Sequence, residues 1–230
     1  MHRKAIIGIV SKHYPYEKNK KDTFIRDEVK QAIFDNDGIA IGILPSESKI
    51  NYTNDNWRDD MSMIEKSNII AQLDLCDGVI LQGGVETDSY ECWIAKYAYD
   101  NNIPVLAICA GQSNLARALG GTTCKIPNTE KHNQPNKDYV HKIVINTNSK
   151  TYRIIGKSKI MVNSRHDHTI KECPLLDKVA FCEDGYSDII ESSEKEFYIG
   201  VRFHPESLYK KDENMNNIFK QFINICKNSH

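Results

Sequence analysis

The sequence predicts an α/β fold: an open, mostly parallel central sheet with helices on both faces, and extra short antiparallel strands in the second half. Three observations carry this. Apolar runs of strand length alternate with segments of helical periodicity from residue 5 to about residue 120, the order that builds a parallel sheet covered on both sides. Val105-Leu106-Ala107-Ile108 has no polar position, as expected of a strand buried on both faces. Beyond residue 122 the chain turns polar and irregular, then offers several short strands with no long helix between them.

Taken in order, Ala5 to Val10 reads as the first strand. Residues 22–36 read as a helix, because Ile25, Val29, Ala32 and Ile33 recur at steps of three and four. Gly38 ends it, and Ile39 to Pro45 reads as a second strand. Residues 46–60 are rich in Asn, Asp and Ser and read as loop. A helix from about Asp60 to Leu73 leads to the strand Asp77 to Leu81, which stops at Gly83-Gly84. A helix over roughly 88–100, the strand 105–108 and a helical pattern after Cys109 complete the alternation. Strand candidates at 141–145, 159–162, 178–182, 187–191 and 197–203 precede a last helix at about 212–226. No repeat or low-complexity linker divides the chain, so residues 1–230 read as a single domain.

Composition narrows the function classes. With 30 Lys plus Arg against 31 Asp plus Glu, the net charge is −1, so no field attracts a polyanion and nucleic acid is not an expected partner. No apolar stretch approaches the roughly 18–20 residues that cross a bilayer, and the short run after Met1-His2-Arg3-Lys4 is too brief for an export signal. A cytoplasmic protein without membrane contact is the expectation. The seven cysteines have irregular spacings and no Cys-x-x-Cys, which argues for reduced thiols, mostly buried, rather than a disulfide framework.

One cysteine stands apart. Cys109 follows the apolar strand directly and precedes a helical pattern, with Ala107 two before it and Gly111 two after. A nucleophile on a tight strand-to-helix turn needs small residues at those places. The helix N-terminus favours a thiolate, and the next backbone N–H can serve an oxyanion. A core cysteine at a strand end fits the same local pattern. Gly200-Val201-Arg202-Phe203-His204-Pro205-Glu206 offers a base and a carboxylate that can reach back to orient it, although a surface His-x-Glu is common. Leu81-Gln82-Gly83-Gly84 places two glycines at a strand's C-terminal edge, where open α/β sheets bind ligands; an ordinary turn reads the same.

In order and spacing, Leu81-Gln82-Gly83-Gly84, Ile108-Cys109-Ala110-Gly111-Gln112 and Gly200 to Glu206 resemble the class I glutamine amidotransferase-like hydrolases, whose fold is flavodoxin-like. Ala118-Leu119-Gly120-Gly121-Thr122 and Val162-Asn163-Ser164-Arg165-His166 resemble in particular the γ-glutamyl-γ-aminobutyrate hydrolase branch. The resemblance runs from about residue 5 to 225. It implies a triad of Cys109, His204 and Glu206, an oxyanion hole from the N–H groups of Gly84 and Ala110, and substrate contacts at Gly83, Gln112 and His166. It implies hydrolysis of a γ-glutamyl amide through a thioester, releasing glutamate and an amine, with no cofactor. Ala107, Ala110, Val85 to Asp88 and His166-Asp167-His168 depart from that branch's usual residues. They lie beside the pocket and concern the leaving amine.

The alternatives are a glutaminase subunit passing ammonia to a separate synthase and a non-catalytic binding or regulatory protein on the same scaffold. Only the first needs a synthase partner. Otherwise a small γ-glutamyl substrate is the expected partner, and a homodimer is compatible with the sequence. His166-Asp167-His168 hints at metal binding, but no further clustered ligand completes a site, and no metal is expected. Asn51-Tyr52-Thr53 is a glycosylation sequon without meaning in a cytoplasmic protein. Lys18 to Asp22 reads as a solvated loop before the first helix, and the resemblance implies a place near the pocket mouth.

Overall fold

In the computed structural model, residues 3–17, 20–46, 57–84 and 89–228 are described. The strands and helices run β1 (Ile6–Val10), β2 (Lys12–Glu17), β3 (Lys20–Phe24), α1 (Asp27–Asp35), β4 (Ile39–Ile43), α2 (Met63–Leu73), β5 (Gly78–Leu81), α3 (Ser89–Asp100), β6 (Val105–Ile108) and α4 (Ala110–Ala118). They continue with β7 (Thr122–Lys125), β8 (His141–Ile145), α5 (Lys150–Ile155), β9 (Lys159–Val162), β10 (His168–Glu172), β11 (Asp177–Cys182), β12 (Ser187–Glu191), β13 (Tyr198–Val201) and α6 (Glu213–Asn228).

Nine strands form one sheet in the order β4-β1-β5-β6-β13-β12-β11-β8-β9. The pairs from β4 to β13 are parallel, and those from β13 to β9 antiparallel. This matches the mixed, mostly parallel class read from the sequence. β6 explains the absence of polar positions. Val105 and Ala107 join the apolar cluster that holds Ile69, Ile94 and Leu115 of α2, α3 and α4, while Leu106 and Ile108 join the opposite cluster with Ile33, Phe219 and Phe222 of α1 and α6. Successive side chains of a strand face opposite sides, so a strand under two helical layers has nowhere to place a polar group. Among the described residues no helix is long and apolar enough to cross a membrane.

Three expectations need correction. The first helix begins at Asp27, not residue 22, because Lys12–Glu17 (β2) and Lys20–Phe24 (β3) pair as antiparallel strands; Ile25 of the periodic set lies before the helix and packs against the core. Lys20 to Asp22 therefore belong to a strand rather than a solvated loop, while Lys18 and Asn19 lie outside the described residues, as do Asn51-Tyr52-Thr53 and Val85 to Asp88. The irregular reading of 122–140 misses β7, which pairs with β10 in a separate two-stranded sheet.

Candidate active site

The C-terminal ends of the parallel strands β5, β6 and β13 bring the three sequence motifs together, since β6 lies between β5 and β13. Cys109 is the N-cap of α4, with φ 53° and ψ −110°. That backbone is sparsely populated for a residue with a Cβ and is strained by about 1–3 kcal/mol. The surroundings enforce it: Cys109 N–H donates to Val201 O at 2.8 Å and Gln112 N–H to Cys109 O at 3.0 Å. Gly111 is the glycine this turn requires. A Cβ there would overlap the Leu81 carbonyl oxygen of β5, so a side chain would push α4 off the sheet.

His204 leaves β13 beside this turn. Its Nδ1 lies 2.6 Å from Glu206 Oε1, on the short 3-10 turn Pro205–Ser207, and its side chain also hydrogen-bonds to Cys109. All three residues are buried. Burial disfavours a charged imidazole, but Glu206 and Cys109 outweigh it and raise the His204 pKa to about 10. An imidazolium hydrogen-bonded to sulfur stabilises a thiolate. His204's backbone is pinned on both sides: its N–H donates to Asn163 Oδ1 at 2.7 Å, and Asn163 Nδ2 donates to its carbonyl at 2.8 Å. Asn163 belongs to a stretch singled out in the sequence, yet this clamping role was not read there.

Opposite lies the Gly83-Gly84 turn. Gln82, fully buried, anchors it by donating to Val10 O at 2.9 Å and Phe24 O at 3.1 Å and by accepting from Arg26 N–H at 2.8 Å. Gly84 has φ 151°, a region open mainly to glycine. Gly83 faces the reacting pair, since a Cβ there would stand 2.9 Å from His204 Cε1 and 3.3 Å from Cys109 Cβ. The Ala110 N–H is at the first helical position, where a helix has no partner of its own to offer. The cleft, about 190 Å³, is lined by Arg26, Gly84, Cys109, Arg165, His204 and Glu206, with Glu28 and Ser207 at its sides. Arg26 Nε donates to Gly83 O at 3.2 Å, and Arg165 Nη1 to Ser207 Oγ at 3.1 Å. Neither arginine was read as a site residue: Arg26 lies in no motif, and in the Val162 to His166 stretch the substrate contact was assigned to His166 rather than Arg165.

Two expected substrate contacts do not line this cleft. Gln112 is fully buried and turns into the sheet, with Nε2 donating to Asp188 O and Gly200 O, each at 3.1 Å. It ties α4 to β12 and β13. His166 is also buried. Its Nδ1 lies 3.0 Å from His168 O, and its ring centroid is 5.4 Å from that of His132. Burial first, then the charge of Arg202, depresses its pKa to about 2, so it is neutral.

The family model of peptidase C26 matches residues 85–206. The chain is 30% identical over 179 residues to a Schizosaccharomyces pombe protein named as a candidate glutamine amidotransferase, covering 66% of this chain and 70% of that protein. It is 26% identical over 210 residues to the CTP synthase of Borreliella afzelii, covering 73% of this chain but 39% of the synthase. Among solved structures, a Thermoplasma acidophilum protein described as a candidate component of GMP synthase superposes with a TM-score of 0.68 at 18% identity, over 98% of this chain and 96% of that one. The glutaminase domain of Trypanosoma brucei CTPS gives 0.66 at 15% identity, over 96% of this chain and 93% of that one. At such identities the two structures share the fold.

Proposed function

Because the chain belongs to the peptidase C26 family, within the class I glutamine amidotransferase-like superfamily, we propose that it is a cysteine-dependent hydrolase of γ-glutamyl amides. The observation that carries this is the line of Cys109, His204 and Glu206 at the strand ends, assembled in this chain alone and facing a glycine turn.

Cys109 Sγ attacks the γ-carbonyl carbon. The N–H groups of Gly84 and Ala110 receive the charge that develops on the oxygen, where fixed donors act most strongly. His204 gives its proton to the leaving amine, and a γ-glutamyl thioester with Cys109 remains. His204 then takes a proton from water, whose oxygen displaces the thiolate and releases glutamate. Glu206 holds the ring in the required orientation throughout. Arg26 and Arg165 suit the α-carboxylate of the glutamyl group, and Glu28 suits its α-ammonium; these groups distinguish a glutamyl substrate from a plain acyl amide.

The alternative is a glutaminase subunit serving a synthase. The relatives named CTP synthase and GMP synthase (glutamine-hydrolysing) favour it, although the chain spans only 39% and 28% of their lengths. A screen of γ-glutamyl amines against glutamine, following glutamate release by the isolated chain, separates the readings. Turnover of γ-glutamyl amines in preference to glutamine is expected. Turnover of glutamine with γ-glutamyl amines ignored rejects the proposal for the alternative.

A further inference from the structure

A second cluster of reactive groups lies outside the Cys109 cleft. His132 follows the 3-10 turn Thr129–Lys131, His141 opens β8 and Cys182 closes β11. One potential ligand atom from each lies within 4.8 Å of the other two. The pairing of β8 with β11, which sets Cys182 against Ile143, brings the strand residues together.

Each imidazole is held from behind by a carboxylate. His132 Nε2 lies 3.3 Å from Asp184 Oδ2, and His141 Nε2 lies 3.2 Å from Asp188 Oδ1. With Nε2–H donating, the lone pair is left on Nδ1 in both rings. Both Nδ1 atoms are buried and have no hydrogen-bond partner, and the His132 side chain is only 2% exposed. A buried acceptor in that condition is costly unless something electropositive meets it. A carboxylate on the far nitrogen is what fixes the tautomer and raises the basicity of a metal-ligating histidine. Cys182 is a free, buried thiol. A cavity of about 420 Å³, lined by these three residues and Asp184, gives an ion a way in.

We propose that His132, His141 and Cys182 bind a zinc-type divalent ion through two imidazole nitrogens and one thiolate, with a fourth position open to the cavity. Two nitrogens and one sulfur suit zinc and exclude calcium or magnesium, which take oxygen ligands. The thiol proton leaves to solvent as the Zn–S bond forms. The ion fastens the 129–132 turn to β8 and β11. It also steadies β12, because Asp188, behind His141, accepts Gln112 Nε2 of the nucleophile's helix through its backbone carbonyl.

The test is titration of the reduced, metal-free full chain with Co²⁺, followed by displacement with Zn²⁺. One equivalent of Co²⁺ with thiolate-to-cobalt charge-transfer absorption is expected. That absorption disappears in Cys182→Ser and His141→Gln and survives in Cys109→Ala. Asp184→Asn, at a carboxylate 39% exposed, leaves the buried ligands in place and weakens binding about 10–100-fold. A wild-type chain without the absorption overturns the proposal. So does absorption that persists without Cys182 or depends on Cys109, and so does an affinity unchanged in a folded Asp184→Asn chain.

Discussion

Replacing Gly83 by alanine adds one methyl group between the glycine turn and the reacting pair. Its Cβ would stand 2.9 Å from His204 Cε1 and 3.3 Å from Cys109 Cβ. Carbon atoms rest at about 3.5–4.0 Å, so the ring must retreat by roughly 0.6–1 Å. His204 has little room to do so quietly: Asn163 grips its backbone on both sides, and Glu206 holds Nδ1 at 2.6 Å. The ring therefore tilts and loses its alignment with the Cys109 sulfur. A displacement near 1 Å at a catalytic group costs on the order of 100-fold in rate. The expected result is a fall in kcat of about 30–100-fold, with KM less affected, since Arg26 and Arg165 are untouched. Overpacking costs folding about 1–3 kcal/mol, so the chain still folds and melts somewhat lower. Steady-state glutamate release and a thermal melt on the same preparation read both quantities. Wild-type kcat in Gly83→Ala would refute the reasoning. Gly111→Ala provides the contrast: its Cβ meets backbone of β5, which cannot tilt away, so the loss there appears in folding.

Two other perturbations test the charges of the site. Arg26→Met and Arg165→Met each remove a cation lining the cleft; a charged hydrogen bond contributes about 1.5–3 kcal/mol, so KM should rise about 10–100-fold with a smaller change in kcat, and unchanged KM in both would show that the glutamyl group binds elsewhere. His204, raised from 6.5 to about 10, contributes stability that is full below pH 6.5 and is lost as pH rises through 10. The wild-type melting temperature should therefore fall more steeply between about pH 7 and 10 than that of His204→Gln; parallel curves would contradict the charge assigned to this ring.

The strands that build the site were legible because their burial leaves a plain trace. β5 and β6 are unbroken apolar runs between two helical layers, and their ends carry glycine and cysteine, while β13 leads to His204, residues that a turn or a reaction requires. The antiparallel pair of β2 and β3 was not legible: Lys12-His13-Tyr14 and Lys20-Lys21-Asp22 show no apolar alternation, and only pairing with each other makes them strands. α5 has its signals, a Ser149 cap accepting from Tyr152 N–H at 2.9 Å and Gly156 at φ 74°, but its six residues are too few to display a period. Gln112 and His166 were misplaced for a different reason. Position along the chain puts a residue near a site, whereas rotamer and burial decide which way it faces, and both of these turn inward. His132, His141 and Cys182 lie too far apart in sequence to be joined by spacing; only the pairing of β8 with β11 and the turn before β8 unite them.

The central claim, covalent catalysis at Cys109, is tested most directly by acid-quenching the enzyme during turnover of a γ-glutamyl amide and measuring the intact and peptide masses. The account predicts a γ-glutamyl adduct on the peptide carrying Cys109, sensitive to hydroxylamine as a thioester is, and absent together with all turnover in Cys109→Ala. Turnover that survives Cys109→Ala, or an adduct on another residue, would contradict it.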